Sequence, residues 1–159
     1  MPPPTLLLRR AGPADAPDLR AILRDTFEST WRPNITAAAA QAFLEQDRPS
    51  AYVAGRGLQF WLAERDGQVV GLVDWEGDFV NALHVRAAHA RTGVGAQLMD
   101  KVEAEIRQAG FASARLETDT FNLRSQAFYA ARGYLELRRY PDQEWNSGLT
   151  TILLAKDLA

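Results

Sequence analysis

Short apolar runs that alternate with polar residues and end at turn residues predict seven β-strands in this chain. They cover residues 5–10, 58–64, 68–75, 79–86, 111–118, 134–140 and 149–155. Asp66-Gly67 separates the second strand from the third, and this pair supplies the positive φ that a tight hairpin turn requires. A further turn at residues 76–78 leads into the fourth strand. The second, third and fourth strands are therefore expected to form an antiparallel meander.

Helical spacing of apolar residues predicts four helices, at about residues 13–27, 36–46, 95–109 and 122–132. The third has Leu98, Met99, Val102 and Ile106 on one face, and Gly110 is well placed to end it. The second is rich in alanine with a weak apolar face, so we expect it to be mobile or to face a substrate. The strands flanking the third helix form a β-α-β unit and should be parallel. The fold class is thus α/β (α+β), one domain over residues 1–159 with a central mixed, mostly antiparallel seven-stranded sheet and helices on both faces.

Composition narrows the class of protein further. The chain has 159 residues, enough for one domain with a real core, and its 47% of hydrophobic residues is typical of a soluble globular protein. A net charge of -2 without a basic stripe argues against nucleic acid as a partner. The absence of cysteine excludes disulfides and thiol nucleophiles. No apolar run is long enough for a signal peptide or a membrane span, so we expect a cytoplasmic protein without a membrane partner.

The stretch from Ala90 to Asp100 places two glycines, Gly93 and Gly95, directly before the third helix. The start of a helix binds anions through its unpaired backbone N–H groups and the positive end of its dipole. Six successive backbone amides could form a nest for a phosphate here, to which the Arg91 side chain adds a charge. They belong to Arg91, Thr92, Gly93, Val94, Gly95 and Ala96. The alternative is that the two glycines only make a sharp turn from strand to helix.

Two other phosphate-binding motifs fit this loop less well. The dinucleotide fingerprint G-x-G-x-x-G has Leu98 at its third glycine position, although Glu117 ends the next strand where a ribose-binding acid would lie. A P-loop is excluded because no Gly-Lys-Ser/Thr sequence follows the glycines. The loop is therefore interpreted together with the residues around it.

Two separated motifs resemble those of the GNAT N-acetyltransferases. The first is Leu83-His84-Val85 followed by HARTGVGA at residues 89–96, which is similar to the acyl-CoA loop of that family. The second comprises Leu116-Glu117-Thr118, Asn122, Ala127-Phe128-Tyr129 and Gly133-Tyr134. The resemblance extends over essentially the whole chain, since the order of strands and helices also agrees. One departure is Ala90, where the loop of the family usually has Gln or Arg, and this bears on phosphate affinity.

The resemblance implies that acetyl-CoA is the co-substrate and that no metal is required. Acetyl-CoA would lie between the fourth and fifth strands, where they splay apart, with its pyrophosphate on the amides of residues 91–96. The pantetheine arm would pair with the backbone at Leu83 and Val85, and a backbone N–H near Leu83 would polarise the thioester carbonyl. Asn122 would contact the same arm.

Asn122, Gln126 and Tyr129 fall at i, i+4 and i+7 and therefore share one face of the fourth helix. The resemblance implies that Tyr129 is the acid that protonates the leaving thiolate. A phenol pKa of about 10 lies not far above a thiol pKa of about 8.5, so this transfer is chemically reasonable. Alternatively, Asn122 only caps the helix and Tyr129 is only a half-buried aromatic residue.

Direct attack of an amine on a thioester requires a base that takes a proton from the amine. The candidates are Asp74, Glu76, His84 and Glu117, or water. Asp74 and Glu76 share one face of the third strand, and we favour Glu76 slightly. His84 has a suitable unperturbed pKa of about 6.5. The fourth strand lacks the acid that many GNAT proteins have there, since one of its faces carries Phe79, Asn81 and Leu83.

The acceptor pocket is expected among aromatic residues and an acid from the first helices, the sheet and the last hairpin. These are Phe27, Glu28, Trp31, Trp75, Tyr140 and Trp145, of which Glu28, Trp31 and Trp75 are the predicted substrate-binding residues. Such a set suits an amine with an apolar part, although core packing explains each aromatic residue equally well. The acceptor itself stays open between an amino acid, a polyamine, a drug-like amine and a protein N-terminus.

We therefore predict an N-acetyltransferase that moves an acetyl group from acetyl-CoA directly to a primary amine of a small or amino-acid-like molecule. Its predicted catalytic residues are Tyr129, Glu76 and His84. The alternative is a GNAT-like domain that binds acyl-CoA as a sensor or interaction module without turnover. An exposed strand edge favours a homodimer.

Overall fold

Seven strands form a single sheet in the computed structural model, which describes residues 6–142 and 147–159. The strands are β1 (Leu6–Arg10), β2 (Trp61–Arg65), β3 (Gln68–Glu76), β4 (Phe79–Val85), β5 (Ser113–Asp119), β6 (Leu135–Pro141) and β7 (Thr150–Asp157). Their order across the sheet is β1-β2-β3-β4-β5-β7-β6. The β4–β5 pair is parallel and every other neighbouring pair is antiparallel. The predicted mixed, mostly antiparallel sheet is confirmed.

Five α-helices accompany the sheet in the described residues, one more than the four predicted. They are α1 (Ala16–Thr26), α2 (Ala37–Gln46), α3 (Arg48–Arg56), α4 (Val94–Gln108) and α5 (Leu123–Ala131). Helix α3 was not predicted, because proline and glycine, here Pro49 and Gly55, commonly interrupt helices. Here Pro49 lies in the first turn, where its missing N–H costs nothing, and Val53 is buried against the sheet. None of the helices in this part of the chain has both the length and the apolar character needed to cross a membrane.

Helices cover both faces of the sheet, as predicted. On one face α4 places Leu98, Met99, Val102 and Ile106 in the larger core, where none of them is exposed. Tyr129 of α5 belongs to the same core. On the other face α1 and α3 pack against β2 and β3 around a smaller core. The predicted apolar face of the helix that follows the two glycines is therefore confirmed.

The strands β4 and β5 diverge soon after they begin. They pair at only two positions, Phe79 with Arg115 and Val80 with Leu116. The rest of β4 pairs with β3 alone, and the rest of β5 pairs with β7 alone. The two strands therefore splay apart toward their C-terminal ends, as the resemblance implied. We call the space between them the splayed cleft.

A bulge in β4 changes which side chains face each side of the sheet. The register between β3 and β4 shifts at Asp74 and Trp75, which leaves Asn81 as an extra residue in β4. Asn81 donates to Asp74 at 3.1 Å on the face of α1 and α3, whereas Leu83 packs in the larger core. The prediction that Asn81 and Leu83 share a face is therefore wrong, because the bulge interrupts the strand alternation.

Candidate active site

The N-terminus of α4 has the form of an anion-binding nest. Gly93 precedes the helix with φ 90°, a left-handed conformation that glycine adopts without strain. The first helical bond runs from the Gln97 N–H to the Gly93 carbonyl, at 3.1 Å. The N–H groups of Val94, Gly95 and Ala96 therefore have no acceptor within the helix. Together with the positive end of the helix dipole, they suit a phosphate.

Arg91 and Thr92 form the exposed side of this loop. Arg91 has φ 62°, a left-handed conformation that costs a residue with a side chain roughly 1 to 2 kcal/mol. Thr92 Oγ1 donates to the His89 carbonyl at 2.5 Å. Because its side chain is exposed, the Arg91 guanidinium is open to an anion held by the nest.

Arg65, at the end of β2, supports the same loop and was not identified from the sequence. Its guanidinium donates to Thr92 Oγ1 at 2.9 Å and to the Thr92 carbonyl at 3.4 Å, and it lies 3.4 Å from His89 Nδ1. The loop thus has a supporting cation although Ala90 occupies the position where GNAT loops usually have Gln or Arg. A lone arginine before a hairpin turn gives no sequence signal for this contact.

The splayed cleft is bordered by β4, α4 and α5. A Cβ atom built at Gly95 would lie 3.6 Å from Phe128 Cζ and 3.9 Å from Leu83 Cδ2. A methyl group fits there in ordinary contact, but a longer side chain would have to enter the cleft. Leu83 and Val85, the predicted backbone contacts, lie on the part of β4 that does not pair with β5.

Two of the three residues predicted to share a polar face of α5 tie this helix to β5. Asn122 is the N-cap, and its Oδ1 accepts from the Ser125 N–H at 3.0 Å. Gln126 donates to the carbonyl groups of Asp119 and Thr120, at 3.1 and 3.0 Å. Both polar side chains therefore have a structural task at the turn between β5 and α5.

Tyr129, the third residue of that face, is 7% exposed. Its ring packs edge-on against Phe128 and Tyr134, with centroid distances of 5.1 and 5.5 Å. No described residue hydrogen-bonds its hydroxyl, yet the oxygen is not sealed off, because within the described ranges only Arg65 Nε is fully enclosed without a partner. Burial raises the pKa of Tyr129 above its usual value near 10. The hydroxyl therefore stays protonated and can donate.

A cavity of about 1100 Å³ opens on the face of the sheet that carries α1 and α3. Its aromatic lining includes Phe27, Trp31 and Tyr140, and its polar lining includes Glu76, His84 and Glu117. The structure therefore brings together three of the aromatic residues predicted for the acceptor pocket with three of the candidate bases. We call this space the acceptor cavity.

Glu28 and Trp75, two of the three predicted substrate-binding residues, do not line the acceptor cavity. Glu28 is exposed and pairs with Arg32 at 2.7 Å. Trp75 packs against the larger core on the opposite face, because its neighbours along β3 face the cavity side. Trp145 lies outside the described residues.

Asp74 and Glu76 share a face of β3, as predicted, but only Glu76 reaches solvent. Asp74 is completely buried and accepts hydrogen bonds from Tyr52 at 2.7 Å, from Arg56 at 2.8 and 2.9 Å, and from Asn81 at 3.1 Å. Glu76 is exposed at the rim of the cavity, accepts from Asn81 at 2.9 Å and lies 3.4 Å from Arg56. Asp74 therefore organises the wall of the cavity, and Glu76 is the carboxylate that a ligand can touch.

His84 is held through one ring nitrogen. Its Nδ1 lies 2.8 Å from Thr26 Oγ1, whose hydroxyl in turn donates to the carbonyl groups of Ile22 and Leu23, both at 3.2 Å. With the hydroxyl hydrogen on one of these carbonyl groups, Oγ1 accepts from Nδ1–H and Nε2 is unprotonated. Burial lowers the pKa of His84 to about 4. At neutral pH this imidazole is uncharged, and it is a weaker base than a histidine with the unperturbed pKa of about 6.5.

We expect His84 to make the folded protein less stable as the pH falls below about 6.5. Its pKa is about 4 in the folded protein and about 6.5 in the unfolded chain, so the unfolded chain takes up the proton first. Between pH 7 and pH 5 the wild type should lose about 2 kcal/mol more than His84→Asn, whose amide nitrogen can keep the bond to Thr26. Urea unfolding of both proteins at both pH values measures this difference. Equal losses would show that His84 titrates normally.

Trp31 contacts an acidic residue, Asp119, that is not among the predicted site residues. Trp31 ends a π-helical turn, Phe27–Trp31, that follows α1. Its Nε1 donates to Asp119 Oδ2 at 2.9 Å. Burial raises the pKa of Asp119, and the indole N–H opposes this shift. The available sequence signal for Asp119 was its place two residues after Glu117, on the same face of β5.

Comparisons with known proteins agree with this geometry. A sequence profile of the acetyltransferase (GNAT) family matches residues 16–134. The chain is 32% identical over 95 residues to blasticidin-S acetyltransferase of Streptomyces morookaense, a match that covers 60% of this chain and 68% of that protein.

Two solved structures illustrate the similarity of the fold. The GCN5-related N-acetyltransferase of Rhodopseudomonas palustris matches with a TM-score of 0.81 and 22% identity, over 99% of this chain and 97% of that one. The PaiA N-acetyltransferase of Thermoplasma acidophilum in complex with coenzyme A matches with a TM-score of 0.74 and 13% identity, over 96% and 99%.

A sheet that splays beside a helix start suited to an anion, with acetyltransferases as relatives, indicates the class of the acyltransferases. The chain belongs to the acetyltransferase (GNAT) family. The matched region runs from α1 to Tyr134 and so contains both motifs singled out in the sequence.

Proposed function

We propose that this protein transfers an acetyl group from acetyl-CoA to a primary amine, by direct attack of the amine on the thioester in a ternary complex. The observation that carries the proposal is the position of the splayed cleft between two different surfaces. The anion nest of α4 lies on one side, and the acceptor cavity lies on the other. A donor in the cleft and an amine in the cavity would meet between β4 and β5. The relative named blasticidin-S acetyltransferase supports a small-molecule acceptor.

The residues of this chain fit acetyl-CoA. The amides of residues 94–96, with the Arg91 guanidinium, would hold the pyrophosphate. The unpaired edge of β4 at Leu83 and Val85 would pair with the amide groups of the pantetheine arm, as an additional strand would. Asn122 can contact this arm through its amide nitrogen, since its oxygen caps α5.

Tyr129 would supply the proton that the departing sulfur needs. Its raised pKa keeps the hydroxyl protonated and able to donate at every physiological pH, but it also makes this phenol a weaker acid than the unperturbed value near 10 implied. A backbone N–H near Leu83 would hold the carbonyl oxygen as negative charge develops on it. The protein thereby stabilises both the oxygen and the leaving group without a metal.

The amine must lose a proton before or during attack. Glu76 and His84, the candidate bases from the sequence, both line the acceptor cavity. Glu76 already has Arg56 and Asn81 as partners. His84, with a pKa of about 4, holds a proton only in acid. Both can contact an amine, but Glu76 is shared with two partners and the lowered pKa of His84 makes it a weak base.

Calorimetric titration of acetyl-CoA into the wild type, Gly95→Glu and Gly95→Ala tests the donor site. The Ala methyl makes ordinary contacts with Phe128, so Gly95→Ala should bind within about threefold of the wild type. The Glu side chain puts bulk and negative charge at the nest, so Gly95→Glu should bind more than tenfold more weakly. NADH should not bind. A folded wild-type protein that does not bind acetyl-CoA would overturn the proposal.

The predicted homodimer and cytoplasmic location stay predictions. β6 is an edge strand that pairs with β7 alone, and its Leu135 and Leu137 side chains are 72% and 58% exposed. Such an edge supports association of two copies. Sedimentation of the purified protein over a range of concentrations measures the oligomeric state.

A further inference from the structure

Trp31 spans the splayed cleft from one strand to the other. Its Nε1 donates to Asp119 on β5 at 2.9 Å, and its ring centroid lies 5.8 Å from that of His84 on β4. All three residues line the acceptor cavity. The indole therefore lies on the cavity side of the opening through which an acceptor would reach the donor.

Asp119 presents one carboxylate oxygen to the acceptor cavity. Oδ2 accepts the indole N–H of Trp31. Oδ1 has no hydrogen-bond partner in the described parts of the chain, and it is not fully enclosed. Because Asp119 lines the cavity, this oxygen is open to a molecule bound there.

The backbone of Asp119 is fixed by the turn into α5. Its carbonyl accepts from the Gln126 side chain at 3.1 Å and from the Asn122 N–H at 3.0 Å. Its Cα pairs with that of Thr151 in β7. The helix that carries Tyr129 therefore also positions Asp119, which places an open carboxylate in a fixed relation to the proposed acid.

The other two candidate carboxylates of the cavity, Glu76 and Glu117, are exposed. Glu76 lies 3.4 Å from the Arg56 guanidinium. Burial together with the nearby Glu117 carboxylate raises the pKa of Tyr140. Asp119 is half-buried and has only the neutral indole N–H on one oxygen, so solvent screens its charge less than that of Glu76 or Glu117.

We propose that Asp119 binds the ammonium group of the acceptor through Oδ1 and takes its proton, while Trp31 orients the carboxylate through Oδ2. This inference rests on the proposed function and names the group that receives the acceptor. The acceptor class is a primary amine joined to an apolar or aromatic part, because the rings of Phe27, Trp31 and Tyr140 line the same cavity.

The surroundings of Asp119 favour a base over a permanently charged surface acid. Burial and the carboxylates of Glu117 and Asp142 raise its pKa, and the N–H of Trp31 lowers it. The other titratable groups that line the cavity are His84 on β4, Glu76 on β3, Arg138 and Tyr140 on β6, and Arg48, Tyr52 and Arg56 on α3. A carboxylate whose pKa is raised takes a proton from an ammonium group more readily than an ordinary one.

Asp119 and Tyr129 together account for the protons that move during the acetyl transfer. Asp119 removes one proton from the ammonium group and passes it to solvent. The amine nitrogen forms a bond to the carbonyl carbon while the bond from that carbon to sulfur breaks. The sulfur receives a proton from Tyr129, and the second proton of the nitrogen returns to Tyr129 through solvent. The products are the N-acetylated amine, the free thiol of coenzyme A and one proton.

Thiol release from acetyl-CoA between pH 5 and pH 9 tests the role of Asp119. The probes are 2-phenylethylamine, spermidine and a peptide with an N-terminal alanine. At pH 7 we expect Asp119→Asn to lower kcat/KM at least tenfold and to remove the acid limb of its pH profile. Trp31→Phe should move that limb to higher pH, because the indole N–H lowers the pKa of Asp119. Asp18→Asn, an exposed acid in the first turn of α1, is the matched control and should change neither.

The outcomes separate this proposal from the function on which it rests. An active wild type whose acid limb persists in Asp119→Asn would overturn the role of Asp119 and leave the acetyltransferase function intact. If the acid limb of the pH profile is lost in Glu76→Gln or Glu117→Gln but persists in Asp119→Asn, then Glu76 or Glu117 is the base instead. A wild type that releases no thiol with any of the three amines would overturn both proposals.

Discussion

Replacing Arg56 with Met is expected to lower the free energy of unfolding by about 3 kcal/mol. Asp74 has no exposed surface and accepts two hydrogen bonds from the Arg56 guanidinium, at 2.8 and 2.9 Å. Met keeps much of the length of the side chain but leaves the buried carboxylate without its positive charge. We expect the low end of the usual cost of breaking a buried ion pair, because the Arg56 side chain is itself 29% exposed.

Arg115→Met is the matched control for this prediction. Arg115 pairs with Asp78 at 2.9 Å, but the two side chains are 42% and 27% exposed, so the loss should stay below about 1 kcal/mol. Urea unfolding with unchanged m-values measures both variants. Asp74→Asn should cost less than Arg56→Met, because it removes the buried charge and leaves a guanidinium that water can reach. Equal losses from the two arginine variants would contradict this account.

Local turn and capping chemistry made most of the fold predictable from the sequence. Asp66 and Gly67 have φ of 53° and 76° in the predicted hairpin turn, and Gly110 has φ 98° just after α4. The helix α3 and the bulge at Asn81 depend on contacts between residues distant in sequence. Both elements supply donors to Asp74, which is buried only once the sheet and α3 have come together.

The candidate site also combines features that could be predicted from the sequence with features that could not. The start of α4 at Gly93 and the cap at Asn122 are short-range features, so the motifs that contain them could be found in the sequence. Arg65 and Asp119 could not, because their contacts arise only when β2 reaches the loop and β5 lies opposite Trp31. Pattern alone cannot tell which strand residues will meet across a splay.

Replacing Tyr129 with Phe is expected to lower kcat about a hundredfold or more, as loss of a general acid does. Affinity for acetyl-CoA should change little, because the ring keeps its packing against Phe128 and Tyr134. Stability should also change little, since no described residue hydrogen-bonds the hydroxyl. Thiol release with the amine probes, beside calorimetry of acetyl-CoA, measures the first two quantities.

Tyr134→Phe is the matched control for Tyr129→Phe, and the pair also tests the alternative of a sensor without turnover. The Tyr134 hydroxyl donates to buried Glu103 at 3.2 Å, so its loss should cost about 1 kcal/mol of stability and leave kcat unchanged. A loss of kcat confined to Tyr129→Phe would assign the proton on sulfur to this phenol. Full activity in Tyr129→Phe would show instead that water protonates the thiolate. A wild type that binds acetyl-CoA tightly but releases no thiol would favour the sensor. The raised pKa of the Tyr129 phenol is compatible with binding, but it does not by itself produce turnover.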